Sequence, residues 1–253
     1  MKKTASPAKV PHSQRTLWLF DLDNTLHNAS HAIFPAIHHN MNAYLAQVLG
    51  DGVSPATPAL VDATRTLYWQ RYGATLLGMI KHHGVRAEDF LREAHRFDDL
   101  SAMIRGERGL ARLLQRLPGR KILLTNAPRR YSTDVVRHLG LQRHFAQHIA
   151  IESMVVHRCL RPKPSRLMLR KLMARERIAA RHCILVEDTL SALKAAKALG
   201  MRTAWITQYL PQPSAANGNM HPPYVDVRVN SVTQLSNHLH RLRPVSFRLA
   251  VLD

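Results

Sequence analysis

The chain has 253 residues, 45% of them apolar and 21% charged, and its 36 Lys and Arg outweigh 17 Asp and Glu to give a formal charge of +19 with histidine neutral. These proportions suit a globular chain that buries its own core without cross-links, and they exclude disorder throughout, collagen and a simple basic tail. The two cysteines, Cys159 and Cys183, supply neither a disulfide framework nor a paired zinc site, so a reducing, cytoplasmic setting is expected.

Residues 1–15 are basic, carry two prolines and are expected to form a flexible arm. No apolar core of signal-peptide length follows, because Leu17 to Phe20 runs straight into Asp21. No apolar run approaches the ~20 residues of a membrane span. Thr16 to Phe20 has strand length and reads as a strand buried on both faces. The pattern then changes. Ile33, Ile37, Met41, Tyr44, Leu45 and Val48 recur at helical spacing, and further periodic segments cover 60–72 and 88–97.

Strand-like runs return at Lys121 to Leu124, His182 to Val186 and Thr203 to Ile206, with a helix from Ser191 to Leu199 closed by Gly200. Pro, Asn, Ser and Gly mark 211–223 as a loop, and Tyr224 to Val229 as an edge strand. Strand and helix in alternation imply a parallel α/β sheet. The expected fold is therefore a doubly wound, Rossmann-like α/β core from 16–30 and 106–230. An all-helical cap at 31–105 is inserted into it, and 231–253 extends beyond it.

Directly after the first strand comes Asp21-Leu22-Asp23-Asn24-Thr25. In an open α/β sheet the ligand crevice lies off the carboxyl ends of the strands, where both acids emerge. Two acids one residue apart can divide the labour, one bearing a nucleophilic oxygen and the other moving a proton. Taken alone, the pair also fits a turn or a helix N-cap. Three further segments tip the balance. Thr125-Asn126 ends the second strand with a hydroxyl and backbone amides suited to phosphate oxygens. Lys163 stands between Pro162 and Pro164, which stiffen the chain around its ammonium. Glu187-Asp188 closes the third strand with oxygen ligands for a hard cation.

In order and spacing, Asp21-Leu22-Asp23-Asn24-Thr25, Thr125, Lys163 and Glu187-Asp188 resemble the four motifs of the haloacid dehalogenase superfamily, and the helical insertion resembles the cap of its dehalogenase-like branch. The resemblance implies that Asp21 is a nucleophile forming an aspartyl-phosphate and Asp23 the general acid and then base. It implies that Thr125 and Lys163 hold the phosphoryl group, to which Asn126 at the same strand end is added as a substrate-binding candidate. It further implies that Mg2+ is bound by Asp21, Asp188 and the backbone carbonyl of Asp23, with Glu187 in support. The second acid, Asp23, points to a phosphatase, since halide displacement needs no protonated leaving oxygen.

In the cap, Tyr72-Gly73-Ala74-Thr75-Leu76-Leu77-Gly78 is similar to a signature of the pyrimidine 5′-nucleotidase subgroup, with Tyr72 offering its ring to a base. The glycines equally fit close packing of cap helices. His38-His39 and His82-His83 lack the spacing of a helical metal pair, and His95-Arg96, placed where it could contact a nucleoside, reads rather as a surface helix end. Cys183 is expected to be inert, and Trp18, Trp69 and Trp205 to pack.

The cations are scattered, without an arginine-rich block, so the charge reads as a solvated surface that attracts small phosphorylated anions. The expected function is magnesium-dependent hydrolysis of a small phosphomonoester, a pyrimidine nucleoside 5′-monophosphate above all. A sugar-phosphate phosphatase or phosphomutase is the first alternative. A basic nucleic-acid-binding protein without turnover is the second. No membrane partner is expected, and the sequence carries no signal of oligomeric state.

Overall fold

The computed structural model describes residues 16–210 and 222–242; the expected arm at 1–15 and most of the 211–223 loop lie outside the described residues. Strand β1 (Leu17–Phe20) is followed by five helices, α1 (Ile33–Leu49), α2 (Pro58–Tyr72), α3 (Thr75–His83), α4 (Ala87–Ala94) and α5 (Leu100–Met103). Then come α6 (Leu110–Arg116), β2 (Arg120–Leu124), α7 (Arg129–His138), β3 (Gln147–Ile149), the hairpin β4 (Val155–Val156) and β5 (Cys159–Leu160), and α8 (Arg166–Arg175). The chain continues through β6 (Cys183–Glu187), α9 (Leu190–Lys197), β7 (Arg202–Ile206), β8 (Val227–Val229), a 3-10 stretch (Val232–His238) and α10 (Leu239–Leu242).

The main sheet has the order β3-β2-β1-β6-β7-β8 and is parallel throughout. From β1 the chain builds outward through β2 and β3, then returns to lay β6 on the other flank of β1. The sheet order reverses between β1 and β6, and ligand crevices open at such switch points. The two-residue side-chain period divides each strand between two cores. Trp18, Phe20, Ile184 and Val186 pack with residues of α6 and α7 on one face. Leu17, Leu19, Cys183 and Leu185 pack with α8 and α9 on the other. Burial on both faces is why these strands read as unbroken apolar runs.

Four features depart from the sequence expectation. Strand β3 is a short, partly polar edge, and the β4–β5 hairpin has two-residue strands, so neither carries a hydrophobic period. The chain does not leave the core at 231: Val232, Leu235 and Leu242 are buried in the cluster that holds Trp18. Trp69 does not pack; it is 65% exposed because α2 buries its other face through Val61 and Tyr68. Among the described residues no helix is long and apolar enough to cross a membrane.

The segment between β1 and β2 has a core of its own around Leu45, Val61, Tyr68, Leu76, Met79, Phe90 and Leu91. Its α2 starts on the N-cap Thr57 with Pro58 in the first turn, and stops at Gly73, whose φ of 79° suits glycine. A Cβ on Gly78 would lie 2.1 Å from Cγ of Tyr68, so this glycine lets α3 close on α2. The glycines of the Tyr72–Gly78 segment thus serve helix ending and packing.

Candidate active site

At the end of β1 the Asp21 amide donates to the Val186 carbonyl at 3.0 Å, which extends the β1–β6 ladder to the first acid. The chain then turns. Asn24 sits at a φ of 56°, a conformation asparagine tolerates better than most residues. Its side chain is fixed to Ser30, donating to Oγ at 2.8 Å and accepting from the backbone N–H at 3.0 Å. Asp21 and Asp23 both line a cavity of about 350 Å3, together with Thr125, Asn126, Lys163, Glu187 and Asp188. Phe34, Ile37, His38, Met41 and His95 form the opposite wall.

Lys163 holds the floor together. It donates to Oδ1 of Asp21 at 2.5 Å and to Oε2 of Glu187 at 2.7 Å, and all three groups are buried. Asn126 clamps the lysine backbone, accepting from its N–H at 2.9 Å and donating to its carbonyl at 3.0 Å. The amide side chain at the end of β2 therefore fixes where the ammonium stands. Thr125 Oγ1 accepts from the Ala127 N–H at 3.0 Å, and Thr25 Oγ1 donates to Oδ2 of Asp21 at 3.3 Å. Asp188 is steadied through its carbonyl, which accepts from the Trp205 indole N–H at 2.9 Å.

Burial, reinforced by the neighbouring Glu187 charge, pushes Asp21 up to about 7, although Lys163 opposes it. Burial likewise raises Glu187 to about 7, against the pull of Lys163, and Asp188 to about 6 with the Asp21 charge adding to the effect. Burial disfavours the Lys163 ammonium, but the Asp21 and Glu187 charges outweigh it and hold the lysine above its usual range. The floor has more negative charge than one ammonium balances. Asp21, Glu187 and Asp188 can each present an oxygen within 4.8 Å of the others. A set of hard carboxylate oxygens around excess negative charge fits a divalent cation of the magnesium type.

Asp23 has a different environment. Its Oδ1 accepts from the Tyr131 hydroxyl at 2.5 Å and from Nε2 of His27 at 2.8 Å. Burial works against its ionisation, but the His27 and Tyr131 hydrogen bonds outweigh burial and hold it below the ordinary carboxylate range. Tyr131 is in turn raised, first by burial and then by the Asp23 charge. His95, expected at a surface helix end, instead half-buries at the end of α4 and lines the cavity. Its Nδ1 faces the Leu91 carbonyl at 3.0 Å, and burial lowers its pKa.

Seven of the eight residues singled out from sequence meet at the cavity; Tyr72 does not. Its hydroxyl lies 2.5 Å from Nε2 of His82, and Lys81 stands over its ring, so it is engaged on the outside of the α2–α3 pair. His27 and Tyr131 were not found from sequence. His27 stands four residues past Asp23, and its position there was the available signal. Tyr131 lies 108 residues from Asp23 and carried none.

A profile of the haloacid dehalogenase-like hydrolases matches residues 17–200. Among solved structures, the chain is similar to a HAD phosphatase from Thermococcus onnurineus, at 17% identity and a TM-score of 0.59, over 91% of this chain and 100% of that one. It is also similar to CbbY from Rhodobacter sphaeroides in complex with phosphate, at 20% identity and a TM-score of 0.59, over 88% and 96%. A third likeness is to YfnB from Bacillus subtilis bound to magnesium, at 16% identity and a TM-score of 0.54, over 89% and 99%. At such identities the likenesses establish the fold.

Proposed function

The chain belongs to the haloacid dehalogenase-like hydrolases, and from that premise we propose that it is a magnesium-dependent phosphomonoesterase whose substrate is a pyrimidine nucleoside 5′-monophosphate. The observation that carries this reading is the meeting of Asp21, Asp23, Thr125, Lys163 and Asp188 at one cavity, from four distant stretches of chain. Phosphoryl transfer asks for in-line positioning and charge neutralisation more than for elaborate covalent chemistry, and this residue set suits both needs.

In the proposed reaction a carboxylate oxygen of Asp21 bonds to phosphorus as the bond from phosphorus to the ester oxygen breaks, and Asp23 gives its proton to the leaving oxygen. Asp23 then takes a proton from the water that attacks the aspartyl-phosphate, which frees phosphate and restores Asp21. Asp23 rests ionised, and entry of a phosphoryl dianion favours its protonated form. Lys163 and Thr125 hold the phosphoryl oxygens, and Asn126 keeps Lys163 in place. Asp21, Asp188 and the Asp23 carbonyl, with Glu187 behind them, would hold magnesium, whose charge would offset repulsion between phosphate and Asp21.

The insertion acts as the cap that chooses the leaving group. Phe34, Ile37 and Met41 offer an apolar wall, and His38 and His95 two imidazoles, a lining suited to a flat, weakly polar base. Phosphate release from uridine and cytidine monophosphates, hexose phosphates, glycolate phosphate and an aryl phosphate tests both parts. Preference for the two nucleotides is expected. Preference for a sugar phosphate rejects the substrate, and no magnesium-dependent release from any ester rejects the phosphatase.

A further inference from the structure

We infer that Tyr131 and His27 are positioning residues that choose which oxygen of Asp23 exchanges protons with the substrate. The inference rests on the phosphatase reading above and adds residues that the four motifs do not contain. The geometry is one-sided. Both the Tyr131 hydroxyl and His27 Nε2 point at Oδ1, at 2.5 Å and 2.8 Å, and among the described residues Oδ2 accepts no hydrogen bond. A proton on Oδ1 would make the Tyr131 hydroxyl or His27 Nε2 give up its donor role, whereas a proton on Oδ2 keeps both hydrogen bonds. The proton of a neutral Asp23 therefore sits on Oδ2.

Both donors are rigidly placed. His27 is fully buried and Tyr131 is 3% exposed, so neither side chain has room to leave its carboxylate. The His27 Nδ1 atom is buried without a hydrogen-bond partner, so the contact with Asp23 is the polar anchor of that ring. Tyr131 is also held from the insertion side. The rings of His95 and Phe97 lie 5.3 Å and 5.7 Å from its own, centroid to centroid. Tyr131 is thus a joint: its ring touches the helical insertion that walls the cavity, and its hydroxyl aims the acid at the end of β1.

Leaving-group chemistry separates such a role from general support of the fold. An alkoxide leaving from a nucleoside 5′-monophosphate or glycerol phosphate needs a proton as its bond to phosphorus breaks. A p-nitrophenolate leaves as a stable anion and does not. We expect Tyr131→Phe, which keeps the ring and its packing, to lower kcat/KM at least about tenfold for the alkyl esters while p-nitrophenyl phosphate stays within about twofold. His27→Leu is expected to shift the same ratio in the same direction. If His27→Leu does not fold, Tyr131→Phe alone decides. Equal losses on both ester classes, or no loss on either, overturn the inference and leave the phosphatase reading standing. A wild type that releases phosphate from the aryl ester alone overturns the inference, and one that releases it from neither ester class overturns both.

Discussion

The two walls of the cavity are built on different terms. On the sheet side the polar groups are closely held: Asp21, Thr125, Lys163 and Glu187 are all at most 8% exposed, and each has a hydrogen-bond partner within the protein. On the helical side Phe34, Ile37 and Met41 offer only apolar contact, and His38 is exposed. Fixed polar partners over-determine the position of an atom, whereas apolar contact tolerates replacement of similar volume. On the proposed function, chemistry and choice of leaving group should thus be separable by mutation.

The largest effect should come from the held side. Asp21→Asn is expected to lower phosphate release by about 10³-fold or more with the thermal midpoint preserved, since the amide keeps the shape but loses the nucleophile. A variant that keeps wild-type turnover breaks the contrast at once. Met41→Trp comes next. Filling the adaptable wall should lower kcat/KM for nucleotides by about 10- to 100-fold and spare a small aryl phosphate, because a pocket change of this kind acts on fit alone. Equal losses on both substrates would mean that the two walls do not act independently.

A smaller effect concerns charge. Asp188→Asn removes a carboxylate that repels Asp21 and Glu187, so without magnesium the variant should melt about 2–4 °C above the wild type. Adding magnesium should raise the wild type and leave the variant almost unmoved, because binding to the native state alone stabilises it. The smallest effect lies away from the cavity. Asp226 accepts from Lys197 at 2.6 Å, Arg202 at 3.0 Å and the Thr203 N–H at 2.9 Å. Burial alone would raise its pKa, but these partners outweigh burial and lower it. Its stabilisation is full above the unfolded value near 4 and is lost as pH falls through the lower folded value. The melting advantage of wild type over Asp226→Asn should therefore hold at pH 7 and shrink below about pH 4.

The same contrast explains what the sequence disclosed. Strands β1, β2, β6 and β7 were legible because burial on both faces leaves an unbroken apolar run between polar ends. Strand β3 escaped because Gln147 and His148 at a sheet edge leave no such run. Asp21, Asp23, Lys163 and Asp188 stood out because each follows or punctuates a regular element. Tyr131 did not, since a single aromatic acquires its role only when a distant element arrives beside it, and His95, a candidate nucleoside contact, reads from sequence as a surface helix end. Tyr72 was ambiguous in the reverse sense: a glycine-flanked tyrosine looks equally suited to a ligand and to helix packing, and it does not line the cavity. The 2.1 Å approach at Gly78 shows that packing needs the glycine there.

Covalent attachment of a phosphoryl group to Asp21, on which the proposed reaction depends, can be tested on the protein itself. Turnover of a 32P-labelled ester in the presence of magnesium would be stopped with acid, and the acid-stable fraction digested and mapped. Label is expected on the peptide carrying Asp21, chasing into free phosphate with unlabelled substrate and absent from Asp21→Asn. Label on another residue, or rapid phosphate release with no labelled peptide at any time, would contradict the proposed reaction.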